Sequence, residues 1–109
     1  MKEEKRMQLV NIDYIPGKEI DALGIVKGTV VYSKNFGKDF MAGMKTLVGG
    51  EIDGYTEMLV TARQIATKRM VDEAESMGAD AVVNVRFSSS SVMQGAAEVV
   101  AYGTAVKFK

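Results

Sequence analysis

Apolar residues between Met7 and Ser33 recur at the short intervals of strands: Leu9, Val10 and Ile12, a turn at Pro16-Gly17, then Ile20, Leu23, Ile25, Val26, Val30, Val31 and Tyr32. Gly24 and Gly28 interrupt this run. A glycine inside a strand marks a bulge, a bend or the close approach of another backbone, so the pattern predicts two or three short strands here rather than one long one. Over residues 34–48 the spacing changes to three and four, with Phe36, Phe40, Met41, Met44, Leu47 and Val48 on one side, which predicts a short amphipathic helix ended by Gly49-Gly50. Asp53 then supplies an N-cap side chain.

The strongest periodic signal runs from Gly54 to Met77. Tyr55, Met58, Leu59, Ala62, Ala66, Met70, Ala74 and Met77 form one stripe, while Arg63, Lys68, Asp72 and Glu75 face away. One long helix is predicted, supported by the i,i+4 pairs Lys68/Asp72 and Arg69/Glu73 and ended by Gly78 in a left-handed cap. After it, Ala79 to Phe87 reads as a strand, Ser88 to Gly95 as a polar loop, and Ala96 to Phe108 as a second strand.

If this hairpin closes with Phe87 opposite Ala97, then Arg86 faces Glu98, Asn84 faces Val100 and Val82 faces Tyr102. Ala81, Val83, Val85, Val99, Ala101, Gly103 and Ala105 share the other face, and their small size predicts that the Ala-rich helix lies there. Val82, Val100, Tyr102, Val106 and Phe108 are then left on a face too apolar for water. A second copy of the chain is the simplest cover, so the pattern predicts a homo-oligomer.

Length and charge narrow the function. The 109 residues are enough for one core, and 14 Lys+Arg balance 14 Asp+Glu, so no net field gathers polyanions and a nucleic-acid role is not expected. Cys and His are both absent, which removes thiolate and imidazole chemistry and most zinc and copper sites. The mixed-charge start, Met1 to Arg6, leads into no apolar signal segment, and no run reaches the roughly 20 apolar residues of a membrane helix. A cytoplasmic protein without membrane association is expected.

Several segments taken together resemble the YbjQ-like family of small proteins of uncharacterised role. They are Ile15-Pro16-Gly17-Lys18-Glu19-Ile20, Leu23-Gly24-Ile25-Val26-Lys27-Gly28, residues 39–45 (DFMAGMK), Val48-Gly49-Gly50-Glu51-Ile52, Tyr55-Thr56-Glu57, Gly78-Ala79-Asp80-Ala81-Val82 and residues 95–106 (GAAEVVAYGTAV). The resemblance spans nearly the whole chain from Tyr14 onward and divides it into a charged tail, 1–6, and one domain, 7–109. It implies an α+β, dodecin-like subunit, an antiparallel sheet packed on one long helix, that assembles into a ring-shaped homopentamer. It also carries a heavy-metal-binding label. The tail stands ahead of the family's usual start, and Asn11-Ile12-Asp13 departs from its Thr-rich first strand.

The candidate binding residues are Asn84, Arg86, Glu98, Tyr102 and Thr104, which the expected register gathers on one sheet face at a subunit boundary. Arg86 and Glu98 also read as a cross-strand pair that satisfies itself. Glu51, Asp53 and Glu57 are the candidate ligands for a hard cation, although their spacing is not that of a calcium loop. Met41 and Met44 beside Phe40 offer sulfur to a soft metal or, more simply, core filling. Gly49-Gly50 before a helix could cradle an anion, but those three carboxylates oppose it. Ser88 to Ser91 lack a positioned base, and neither G-x-S-x-G nor S-x-x-K occurs, so catalysis is not expected.

The expectation is a non-enzymatic, ring-forming module with no resident cofactor, whose binding sites lie where subunits meet. A metal-binding role and a scaffold that recruits a protein through residues 1–6 or the serine run are the alternatives.

Overall fold

The computed structural model describes residues 6–33, 51–93 and 96–109, with the backbone alone at 32–33, 51–57, 92–93 and 96. Strand β1 (Gln8–Leu9) precedes β2 (Ile20–Ser33), helix α1 (Glu51–Ser76), β3 (Ala81–Met93) and β4 (Ala96–Phe108). The sheet order is β1-β3-β4-β2. β2, β4 and β3 pair antiparallel, and β1 runs parallel to the start of β3. The expected helix at 34–48, with Asp39, Met41, Met44 and Gly49-Gly50, lies outside the described residues, as does nearly all of the charged tail.

Two strands occupy residues 7–33, as expected in number, but the second is a single strand of 14 residues that neither Gly24 nor Gly28 divides. The two glycines explain why the strand survives. Gly24 adopts φ 146°, a value that side chains rarely tolerate, and absorbs a register shift between Ala22 and Gly24, so β2 bends without breaking. Gly28 serves a different purpose. A Cβ there would collide with the Ala66 carbonyl oxygen and the Met70 nitrogen, so its absence lets α1 lie directly on β2.

Helix α1 begins at Glu51, three residues earlier than predicted, which puts Asp53 inside the first turn instead of at the cap. Most of its stripe is as expected, but Met77 falls past the helix end and is 39% exposed, and the Tyr55 side chain lies outside the described residues. Met58, Ala62, Ala66, Met70 and Ala74 are buried against Val26 and Val30 of β2, Val82 of β3, and Val99, Ala101 and Ala105 of β4. The helix ends in a Schellman motif: the Ala79 N–H donates to the Ala74 carbonyl at 3.1 Å and the Gly78 N–H to the Glu75 carbonyl at 3.0 Å, with Gly78 at φ 77°.

Lys68 and Asp72 pair at 3.2 Å as expected, but Arg69 and Glu73 take other partners. Arg69 Nη1 donates to the Thr29 carbonyl at 2.6 Å, and Glu73 Oε1 accepts the Lys27 N–H at 3.2 Å. Backbone groups on the outer edge of β2 have no strand partner among the described residues, and the helix satisfies two of them. That explains why α1, which lies on the expected Val85, Val99, Ala101 and Ala105 face of the hairpin, is centred over β2 and β4 and not over β3.

The hairpin register also differs. Ser88 to Ser91 are strand, not loop, and Arg86 pairs with Tyr102, Phe87 with Ala101 and Ser90 with Glu98, four residues away from the expected alignment. Between Val83 and Arg86 the register shifts, and Asn84 sits at φ 56°. This bulge turns the start of β3 over: Val82 faces α1, while Ala81 and Val83 face the other side, the reverse of the expectation. Val85, beyond the bulge, packs toward the helix as predicted.

The side away from α1 holds a second, smaller cluster of Ile15, Ala81, Val83 and Val106, flanked by Val10, Ile20 and Phe108. Part of the face assigned to a second copy is thus covered by the chain's own residues 10–20. Asp80 locks the adjoining corner. Its Oδ2 accepts the Phe108 N–H at 2.8 Å and lies 3.8 Å from Lys107 Nζ, which also donates to the Gly78 carbonyl at 3.0 Å.

Gly28→Ala is expected to destabilise the fold by about 1–3 kcal/mol or more, since the collision is with backbone that cannot move aside. Gly78→Ala meets open space and loses only the left-handed conformation, at about 1–2 kcal/mol. Urea unfolding midpoints check both; equal, small losses would mean that the helix does not approach β2 this closely.

Candidate functional site

The predicted binding residues do not all converge. Asn84 is absorbed into the β3 bulge, where its N–H donates to the Ile12 carbonyl at 2.9 Å. Glu98 stands level with Ser90 on one side and Val31 on the other. Arg86 is level with Tyr102, four residues along β4, so roughly 13 Å of strand separates it from Glu98 and no cross-strand pair forms. Arg86 instead anchors the N-terminal segment through Nη1, which donates to the Asn11 carbonyl at 2.9 Å and to the Val85 carbonyl at 3.1 Å.

Arg86, Tyr102 and Thr104 do share the face turned from α1. Their neighbours come from β2, because Lys27 is the partner of Tyr102 and Ile25 the partner of Thr104. The centre of the face is the row Lys27–Tyr102–Arg86, flanked by the rows Ile25–Thr104–Val83 and Thr29–Val100–Ser88. Ile25 is 77% exposed, Val31 58% and Tyr102 40%. Lys27 was missed from the sequence, where nothing local links it to a tyrosine 75 positions away. The pairing of β2 with β4 makes the link.

Two other places carry chemistry. Phe87, 49% exposed on the helix side of β3, lines an open groove of about 440 Å³ with Val60, Arg63, Gln64, Thr67 and Lys68 of α1. Asp80 and Lys107 border a hollow of about 270 Å³ with Met7, Glu75, Gly78 and Ala79. The visible signal for Asp80 was a single carboxylate between Ala79 and Ala81 in an apolar run; its bonds to the strand end and helix end explain it structurally.

The cation candidates Glu51, Asp53 and Glu57 fall in the first turns of α1, and their side chains lie outside the described residues. Among the described residues, no three acidic side chains gather closely enough to hold a metal ion. With no Cys or His anywhere in the chain, carboxylates and Met thioethers are the side-chain donors left for a metal. No helix among the described residues is long and apolar enough to cross a membrane.

This α+β architecture, a four-stranded sheet with one long helix, also occurs in a solved structure from Pediococcus pentosaceus, a protein of unknown function from the DUF74 family. The TM-score is 0.65 over 94% of this chain and 98% of that one, at 11% identity, so the likeness is one of fold. Residues 7–109 match the YbjQ family model, described as "Putative heavy-metal-binding". The chain belongs to this family. It is 62% identical to a UPF0145 protein of Clostridium novyi, covering 93% of this chain and 98% of that one. Similar relatives are the UPF0145 proteins of Alkaliphilus metalliredigens, at 60% identity over 94% and 99% of the two chains, and of Thermotoga petrophila, at 56% over 94% and 98%.

Because Arg86 and Glu98 stand apart, Glu98→Ala should change stability by no more than about 0.5 kcal/mol, while Arg86→Ala loses its bond to the N-terminal segment at about 1 kcal/mol. The double variant is expected to show additive losses. A coupling above about 1 kcal/mol would restore the cross-strand pair.

Proposed function

We propose that this protein is a non-enzymatic, cytoplasmic subunit of a homo-oligomeric ring, a pentamer by its family resemblance, that binds a ligand at or near the subunit boundaries. The observation that carries this reading is the uncovered sheet face. Ile25, Val31 and Tyr102 stand exposed together on β2 and β4, where an isolated sheet would keep polar side chains toward water. The internal cover of residues 10–20 reaches Val106 and Phe108 but leaves this half of the face bare.

The outer edge of β3 supports the same reading. Backbone bonds from Val10 and Ile12 occupy that edge as far as Val85, and no described strand follows them. Phe87 to Ser90 contain neither charge nor proline, the usual devices that keep an edge from pairing. A surface joined edge to face in one direction is heterologous, and heterologous contacts close into rings when the rotation allows.

Native mass spectrometry of untagged protein prepared without chelators tests the proposal. A ring is expected, and a monomer at micromolar concentration would end it. Ser89→Pro probes the edge: the Val85 N–H points outward to Val10, so strand alternation turns the Ser89 N–H outward too, and its loss spares the β3–β4 ladder. The variant should keep its fold and lose assembly. Added Cu(I), Zn²⁺ or Ca²⁺ is expected to leave the melting temperature unchanged; a stabilisation approaching about 2.7 kcal/mol at 100 times the dissociation constant would establish a metal site.

A further inference from the structure

We propose that the row Lys27–Tyr102–Arg86 binds a small aromatic carboxylate, with the ring of the ligand against Tyr102 and its anionic group between the two cations. The proposal deepens the interface-binding reading above but rests on residues of a single chain. Neighbouring strands are about 4.8 Å apart, so the Cα atoms of Lys27 and Arg86 are separated by roughly 10 Å with Tyr102 midway. Lys27 is long enough to reach over the ring, and Arg86, held toward Asn11 at the outer edge of β3, would have to release that carbonyl to meet the same anion.

Arg63 and Arg69, like Lys27 and Arg86, lack an ion pair among the described residues, so what sets this row apart is that its two cations flank an exposed tyrosine. Elsewhere among the described residues Lys68 pairs with Asp72, Lys107 with Asp80 and Lys109 with Asp21, while Lys18 lies over the Phe108 ring. Neither Lys27 nor Arg86 has an ion pair among the described residues. The central row and its two flanking rows contain no carboxylate: Ile25, Thr104 and Val83 lie on one side, and Thr29, Val100 and Ser88 on the other. A chain of zero formal net charge thus presents two uncompensated cations around one exposed tyrosine.

The components fit an anion with an apolar body. Arg86 Nη1 is engaged by two carbonyls at the outer edge of β3, which leaves Nη2 and Nε as the donors it can offer a carboxylate. Tyr102 supplies a face for stacking at the border of the surface that a neighbouring copy would cover. Thr104 and Thr29, both half-buried, place hydroxyls beside the row.

The test is a titration of the full chain with 2-naphthoate, followed by isothermal calorimetry, with 2-naphthalenemethanol as the uncharged comparison. Naphthoate should bind more tightly than the alcohol, and Lys27→Met and Arg86→Met should each weaken it by roughly tenfold or more, the worth of one charge-assisted hydrogen bond. Lys27→Met anchors nothing else through its side chain, so its melting temperature should hold even if Arg86→Met loosens the N-terminal segment. No binding at millimolar naphthoate, or equal binding by wild type and Lys27→Met, would overturn the proposal. Native mass spectra of the same samples separate the two readings: a monomer that binds naphthoate sinks the ring alone, and a ring indifferent to it sinks the anion site alone.

Discussion

The close approach of α1 to β2 at Gly28 is the contact on which the rest of the structure depends. Backbone meets backbone there, so the helix stripe opposite must be small, and Ala62, Ala66 and Ala74 supply it with Met70 filling the irregular space between. Once the helix is seated, Arg69 and Glu73 reach the edge of β2 and satisfy Thr29 and Lys27. A helix placed over β2 and β4 cannot also cover the outer part of β3, which explains the groove beside Phe87.

Two bulges then decide what each face of the sheet displays. The shift at Ala22/Gly24 keeps Val26, Gly28 and Val30 beneath the helix while Ile25 and Lys27 turn outward. The bulge at Asn84 sends Val82 inward and hands Ala81 and Val83 to the second cluster. Side chains alternate with period two, so one extra residue reverses everything on one side of it. The row Lys27–Tyr102–Arg86 exists because both bulges fall outside it.

The combination of apolar and cationic residues on that outward face connects fold to function. Family membership brings a heavy-metal label, whereas the row Lys27–Tyr102–Arg86 and its neighbours offer tyrosine, arginine, lysine and hydroxyls, a set suited to an anion. The same face carries Ile25 and Val31, so the proposed binding row and the proposed subunit contact lie on one surface.

The long helix, its Gly78 cap and the core stripe were legible in the sequence because each depends on spacing within one segment, where 3.6-residue periodicity and a left-handed glycine leave a local signature. The family was legible too, through ordered motifs along the chain. The hairpin register was not: FSSSSV reads as a solvated tip, yet pairing with β4 carries it as strand through Met93. Asn84 gave no local sign of a bulge, so Arg86 and Glu98 were set opposite each other when they stand four residues apart. Only the tertiary structure could bring Lys27 to Tyr102, since β2 and β4 meet across most of the chain and their alignment is chosen by the packing of both strands under one helix.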